Sequence, residues 1–150
     1  MDRKIMSVIL TGVILLLSAC SMERIKEEKL QDIDFTVLSE DEIPKELTGQ
    51  IEESQKEEMK LTFSDKGYLY IVRGYGAQET SGYSIEVVEL YETENAVCIE
   101  TNLLGPDTTE DIIETETYPY VVVKLEDKEK YVVFDLGGNV NGTFEKRDMQ

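Results

Sequence analysis

The sequence predicts a mainly β fold, an antiparallel, sandwich-like sheet with one N-terminal helix packed on it. Three observations support this prediction. From residue 60 onward, short runs rich in β-branched and aromatic residues alternate between apolar and polar positions. Turn-forming residues separate these runs. One earlier stretch instead repeats its apolar residues every four positions, as an amphipathic helix does. The alternative is an α+β arrangement of the same elements.

A strand and a helix are predicted at the start of the domain. Residues 34–38 alternate and contain β-forming side chains, which indicates a first strand. Pro44 suits the first turn of a helix. Ile43, Leu47 and Ile51 then recur every four residues. This narrow apolar stripe is typical of a helix that lies on a sheet and keeps its charged face in water.

A β-hairpin is predicted next. Residues 60–63 and 68–72 are β-like, and the turn-forming residues 64–67 separate them. Apolar side chains occupy both faces of the second strand, with Tyr70 and Val72 on one and Leu69 and Ile71 on the other. Because a strand that is apolar on both faces has to be covered on both sides, we expect this strand to be central.

The remaining strands are predicted from the same alternation. Residues 84–90 alternate with one extra residue inserted between Val87 and Leu90, and residues 96–100 follow across a polar turn. Residues 120–125 and 131–134 flank a polar turn and are predicted to form a last hairpin.

The N-terminus has the features of an export signal. Arg3 and Lys4 precede an apolar run over residues 5–17, which is too short to span a bilayer. The sequence Leu17-Ser18-Ala19-Cys20 resembles the lipobox of bacterial lipoproteins. The resemblance implies cleavage before Cys20, a diacylglyceryl thioether on its sulfur and acylation, for example by palmitate, of the new terminus. The alternatives are an ordinary secretory signal with an incidental Cys20 and a retained single-pass helix.

Four segments follow from these observations. Residues 1–19 are predicted to be a lipoprotein signal peptide and residues 20–33, rich in Glu and Lys, a lipidated tether. Residues 34–136 are predicted to form one β domain, and residues 137–150 a flexible C-terminal tail. The predicted location is the extracytoplasmic face of the cell membrane, with the lipid anchor as the contact to the membrane.

Composition limits the function classes. The chain of 150 residues has a formal net charge of −17, so a polyanion such as nucleic acid is not an expected partner. It contains no histidine, which excludes Ser-His and Cys-His catalysis, and Cys98 is interpreted as a small buried hydrophobe. No catalytic residue, cofactor or metal site is predicted. A calcium site or a carboxylate acid/base pair stays open for one group of residues, although their spacing is not that of an EF-hand: Asp107, Glu110, Asp111, Glu114 and Glu116.

Two segments combine turn-forming and aromatic residues. Residues 74–85 contain three glycines together with Tyr75 and Tyr83, and residues 117–120 place Pro119 at the start of a strand. Tyrosine offers a large amphipathic surface with a polar tip, which suits protein contacts. The alternative is that these tyrosines pack inward at structural turns.

Five motifs, in this order, carry a resemblance to a known family. They are Gly74-Tyr75-Gly76 with Gln78 and Thr80, Gly82-Tyr83-Ser84-Ile85, Glu89-Leu90-Tyr91, Leu104-Gly105-Pro106 and Thr117-Tyr118-Pro119-Tyr120-Val121. Over residues 60–125 this combination resembles the C-terminal domain of the PrcB family, protease complex subunit PrcB-like lipoproteins. The chain departs from the family pattern at Ser81, where glycine is usual, and at Glu79.

The resemblance implies a non-catalytic accessory lipoprotein that binds an exported protease or another envelope protein. In the founding case the partner is a surface subtilisin-like serine protease, which needs the accessory protein to mature or remain stable. The expected partner-binding residues lie in the two segments: Tyr75, Gln78, Thr80, Gly82, Tyr83, Tyr118 and Pro119.

Two alternatives to this function remain. Residues 80–83 also resemble the Thr-Thr-Gly-Tyr loop of chagasin-like inhibitors of cysteine proteases, although Gln78 and Glu79 replace the asparagine and proline of that loop. The other alternative is a structural envelope lipoprotein without a stoichiometric partner.

Overall fold

A computed structural model describes residues 25–109 and 111–136. The predicted signal peptide, the lipidation site Cys20, Glu110 of the acidic segment and the predicted tail over residues 137–150 lie outside the described residues. Within the described ranges, no helix is long and apolar enough to cross a membrane.

In the part of the chain that the structure describes, eight strands and one α-helix form two four-stranded sheets with the helix on one of them. The strands are β1 Gln31–Asp32, β2 Thr36–Val37, β3 Glu58–Asp65, β4 Tyr68–Tyr75, β5 Ser84–Glu92, β6 Ala96–Leu104, β7 Tyr120–Glu126 and β8 Tyr131–Phe134. A 3₁₀ turn, Glu40–Glu42, precedes helix α1, Lys45–Ser54. Sheet I has the strand order β1-β5-β6-β8 and sheet II the order β2-β7-β4-β3. The predicted mainly β, sandwich-like fold with one helix is confirmed.

The predicted hairpin of β3 and β4 is present, but its turn is shorter than the predicted residues 64–67. Asp65 pairs with Tyr68, so only Lys66 and Gly67 lie in the turn. Both residues have positive φ, 50° and 82°, which is the conformation of a type I′ turn. This turn matches the right-handed twist of the strands it joins, and Gly67 adopts the conformation without the steric cost of a Cβ atom.

Strand β4 is central in sheet II, as predicted. Leu69 and Ile71 are fully buried in the core between the two sheets. Tyr70 and Val72 face the other way, into a second core beneath the helix. The predicted helical stripe covers this second core with three buried side chains: Ile43, Leu47 and Ile51.

The extra residue that the sequence indicates in β5 is a β-bulge. The register between β5 and β6 shifts between Val87 and Glu89, which leaves Val88 as the additional residue. Val88 points outward and is 48% exposed. After the bulge, Leu90 returns to the core between the sheets.

The predicted last hairpin is wrong. Strand β7 lies in sheet II between β2 and β4, whereas β8 is parallel to β6 at the edge of sheet I. Strand β8 pairs with residues 96–99 of β6, which are all buried in the complete fold. Val132 of β8 packs between the sheets, and Val133 packs with Cys98 on the other face. Alternation within β8 gave no information on which strand it joins.

The first strand is also placed differently. Pairing begins at Gln31, inside the segment assigned to the tether, and the strand predicted over residues 34–38 is limited to Thr36–Val37. The reason is Ile33, which is buried between the sheets while its N–H donates to Leu90 O at 2.9 Å. The chain then crosses from sheet I to sheet II, so β1 and β2 are two short edge strands.

The strand directions give the domain two distinct ends. The turn end contains residues 66–67, 93–95 and 127–130, which are connected because Asp127 N donates to Gly67 O at 3.0 Å and Lys130 Nζ to Thr93 O at 2.8 Å. The loop end contains the connections 76–83 and 105–119, since Ser84 pairs with Leu104 and Gly74 with Tyr120.

Candidate functional site

The two segments singled out in the sequence meet at the loop end. Gln78 and Thr117 form an isolated antiparallel bridge in which each N–H donates to the other carbonyl, at 2.8 and 3.0 Å. Thr117 Oγ1 also donates to Thr80 O at 2.7 Å. Connection 76–83 is thus held against connection 105–119, although the two are far apart in the sequence.

Ser81 adds a second link between the same connections. Its N–H donates to Ile113 O at 3.0 Å, and its Oγ accepts the N–H of Ile113 at 2.9 Å. A glycine at this position could make only the first of these bonds. The residue by which this chain departs from the family pattern therefore supplies a side-chain contact between the connections, and it fixes the backbone of Ile113.

Tyr75 joins the two sheets beneath this pair of connections. Its hydroxyl lies 2.8 Å from Thr101 Oγ1 and donates to Thr101 O at 3.1 Å, and Thr101 belongs to β6 of sheet I. The guanidinium of Arg73 stacks on the ring, 4.0 Å from its centre. The Tyr75 N–H donates to Pro119 O at 3.3 Å. Tyr75 is half-buried. Its hydroxyl and one face of its ring are engaged in these contacts within the domain.

Gly82 and Tyr83 lie at the surface of the loop end. Gly82 has φ of +90°, which favours glycine, and it is exposed. The half-buried Tyr83 ring packs near Gly105, where a Cβ atom would lie 3.9 Å from Tyr83 Cε1. Leu104 is 44% exposed and Ile113 is 64% exposed at the same end. The loop end therefore presents an aromatic ring and aliphatic side chains on a backbone that hydrogen bonds hold in place.

Tyr118 and Pro119 line a groove on the adjacent side of the loop end. The groove has a volume of about 320 Å³, and Val37, Glu40 and Ile43 also line it. Tyr118 Oη donates to Glu116 Oε1 at 2.6 Å, and this bond raises the pKa of the phenol. Its hydroxyl therefore stays a neutral donor over the physiological range.

Tyr120 forms part of the same groove. Burial raises the pKa of its phenol, and the negative charges of Glu40 and Glu52 raise it further. Val37, Ile43 and Val122 give the groove apolar lining, and Glu40 and Glu52 place negative charge near the Tyr120 ring.

Sequence reasoning missed a buried charge cluster beside Tyr75. Arg73 is 4% exposed, and its guanidinium contacts Asp135 at 3.1 Å and Glu58 at 2.9 Å. Asp135 also accepts the Thr101 N–H at 3.0 Å. An arginine inside an otherwise apolar central strand was the available signal, because a buried arginine needs a carboxylate partner.

The acidic segment and Cys98 are the remaining candidate groups from the sequence. No group of three or more Cys, Asp or Glu side chains in the described ranges is arranged to hold a metal ion, and Asp107, Asp111, Glu114 and Glu116 are exposed. Cys98 is fully buried, as predicted, and burial raises the pKa of its thiol. Burial also raises the pKa of Tyr91, its neighbour across the strands, to about 12.

The fold and the loop end define a small two-sheet β domain in which aromatic and aliphatic side chains gather at one end on paired connections. Residues 69–126 match the family model described as PrcB C-terminal, which confirms the resemblance found in the sequence. The match runs from the second residue of β4 to the end of β7, so it includes both connections of the loop end. Searches of curated proteins and of solved structures found no significant match.

Proposed function

We propose that this protein is a non-catalytic, membrane-anchored lipoprotein that uses its loop end to bind an extracytoplasmic protein. The partner class that the family suggests is an exported serine protease, whose complex the domain would join as an accessory, stabilising subunit. The observation that carries the proposal is the extent of the family match, residues 69–126, because it includes both paired connections and the strands that position them.

The entry point of the chain supports this proposal. Lys26 N donates to Asn95 Oδ1 at 2.9 Å, so the first described residues lie at the turn end. Ile25 lies five residues after Cys20, a span of at most about 18 Å. Strand β5, with nine residues, carries the chain roughly 30 Å between the two ends. A lipid on Cys20 would therefore hold the turn end near the membrane and leave the loop end on the far side.

The surface chemistry of the loop end also suits a protein partner. Ile112 and Ile113 are 47% and 64% exposed, and Tyr83 lies half-buried at the same end. Ser81 fixes the backbone at Ile113, so ordering this residue on binding costs little entropy. The net charge of −17 favours a basic partner surface and faster encounter with it.

Co-purification of the intact lipoprotein after crosslinking in its own cells tests the proposal. We expect Ile113→Asp to reduce recovery of the crosslinked partner at least tenfold, because a carboxylate replaces an exposed apolar contact. Val88→Asp is the matched control, since Val88 is 48% exposed on β5, away from the loop end. Recovery with this control should stay within twofold. Equal recovery with both variants, or no stoichiometric partner for the unchanged chain, would contradict the proposal.

Protease assays separate the alternatives. A chagasin-like inhibitor would inhibit papain-type proteases as a purified protein, and Gly82→Ala would relieve this inhibition because Gly82 has φ of +90°. An accessory subunit would instead co-purify with a serine protease and extend its lifetime. A structural envelope lipoprotein would do neither.

A further inference from the structure

The edge of sheet II is incompletely covered beside the groove. Strand β2 pairs with β7 only through Thr36 and Val37, and one further bond runs from Leu38 N to Val122 O at 2.9 Å. Strand β7 begins two residues earlier, at Tyr120. The chain that follows Leu38 leaves the sheet and enters the 3₁₀ turn Glu40–Glu42.

The hydrogen-bond pattern shows which backbone groups face this opening. Tyr75 N donates to Pro119 O, so the odd-numbered residue Pro119 directs its carbonyl towards β4. Because backbone groups alternate in direction along a strand, the even-numbered positions face β2 instead, as the bond to Val122 O shows. Tyr120 has the same direction as Val122, and its N–H and C=O therefore point towards the groove beyond the end of β2.

The groove beside this edge is apolar with an acidic rim. Val37, which is 55% exposed, and Ile43 line the groove together with Tyr120. Glu40 is the one charged residue among those that line the groove, and Glu116 lies at its border through its bond to Tyr118. A volume of about 320 Å³ fits a few side chains of an extended segment.

We propose that this groove binds an extended segment of the partner protein, which adds to sheet II as a short strand beyond β2. The backbone of the segment pairs with Tyr120, an apolar side chain fills the groove beside Val37, and a basic side chain contacts Glu40. Strand addition supplies affinity through main-chain bonds, while the groove and the acidic rim select the sequence. This inference rests on the proposed function and names the chemistry of the partner segment.

Binding of a synthetic peptide to the full-length protein in detergent tests the inference. The probe is an acetylated, amidated pentapeptide with valine at the odd positions, arginine at the second and lysine at the fourth. We expect saturable binding and slower amide exchange at Tyr120. Glu40→Lys should weaken binding at least tenfold, and Val37→Trp, which fills the groove, should also weaken it. Glu86→Lys makes the same charge change on exposed β5 and should leave binding within twofold.

Peptide chemistry provides the second arm of the test. A probe that is N-methylated at its central valine keeps its charge and apolar side chains but loses a main-chain donor, so it should bind at least fivefold more weakly. Equal binding of the two probes would overturn strand addition. Equal loss with Glu40→Lys and Glu86→Lys would show binding by net charge alone and would also overturn the inference.

The two proposals fail in different ways. If Ile113→Asp abolishes capture of the cellular partner while Glu40→Lys and Val37→Trp leave it unchanged, the groove inference is wrong and the proposed function stands. If the unchanged chain captures no partner at all, the proposed function is wrong as well.

Discussion

Arg73 links the two sheets at the base of the loop end through charge. Its guanidinium lies between Asp135, which follows β8 of sheet I, and Glu58 of β3, and it stacks on Tyr75. The Asp135 side chain is 27% exposed and also bonds to Thr101, whereas the Glu58 side chain is 58% exposed. The two carboxylates should therefore contribute unequally to stability.

Isosteric substitutions separate these contributions. We expect Asp135→Asn to lower the free energy of unfolding by about 2 kcal/mol, because it removes the charge of the less exposed carboxylate that contacts the buried Arg73. Glu58→Gln should cost less than about 1 kcal/mol, as exposed ion pairs do. Asparagine tolerates the φ of +51° at position 135, so backbone strain does not enter the comparison. Urea denaturation measures both free energies of unfolding. Equal decreases for the two variants would contradict the unequal contributions of Asp135 and Glu58.

Glu92 provides a pH-dependent contribution at the turn end. Burial favours its neutral form, but hydrogen bonds from Lys130 and Gln31 outweigh this effect and lower its pKa below the ordinary value of 4.5. The unfolded chain therefore binds this proton more readily than the folded domain does. The contribution is present above pH 4.5 and is lost as the pH falls through the lower pKa of the folded domain.

The substitution Glu92→Gln tests the contribution of Glu92 to the pH dependence of stability. We expect Glu92→Gln to lower the melting temperature at neutral pH and to make the melting temperature less dependent on pH in the acid range. Glu86→Gln, at an exposed position of the same strand, is the control and should keep the pH dependence of the unchanged chain. If the melting temperatures of all three proteins fell equally as the pH is lowered, Glu92 would be excluded as the origin of the pH dependence.

The buried apolar stripe of helix α1 stabilises the helix, whereas Gly49 lowers its stability. Gly49 lies in the helix interior at an exposed position, and a Cβ atom there would meet nothing within 4 Å. We expect Gly49→Ala to raise the free energy of unfolding by about 0.5–1 kcal/mol, because alanine loses less backbone entropy on folding. Thermal unfolding measures the gain.

The β3–β4 turn supplies the opposing control. Gly67 also has open space around it, but its φ is +82°. Gly67→Ala should therefore lower the free energy of unfolding by about 1 kcal/mol through backbone strain alone. A lower free energy of unfolding for Gly49→Ala, or a higher one for Gly67→Ala, would show that the helix or the turn has another conformation in solution.

The sequence predicted elements well where local signals decide them. The helical stripe, the hairpin turn within residues 64–67, and the extra residue between Val87 and Leu90 each follow from spacing or turn chemistry within a few residues. Predictions that depended on distant partners were wrong. Nothing local to β8 indicates that it joins β6 in parallel, and the short strand β1 exists because Ile33 fits the core between the sheets.

At the scale of the whole molecule, the candidate residues were predicted but their arrangement was not. Composition singled out Tyr75 and Tyr118, the family resemblance added Gln78, and the structure gathers all three at one end. The bridge between Gln78 and Thr117 and the bonds of Ser81 depend on two connections that only the complete fold brings together. The same fold places the first described residues at the opposite end. Under the proposed function, a lipid anchor on Cys20 and the candidate contact surface would be separated by the length of the sandwich.

Residue-specific photocrosslinking in cells tests the central claim most directly. A photoreactive amino acid replaces Ile113 at the loop end or, in a matched protein, Glu94 at the turn end, both exposed positions. The account predicts that Ile113 forms a discrete crosslink to one extracytoplasmic protein, whereas Glu94 crosslinks to lipid or to no protein. A protein crosslink from Glu94 with none from Ile113 would contradict it.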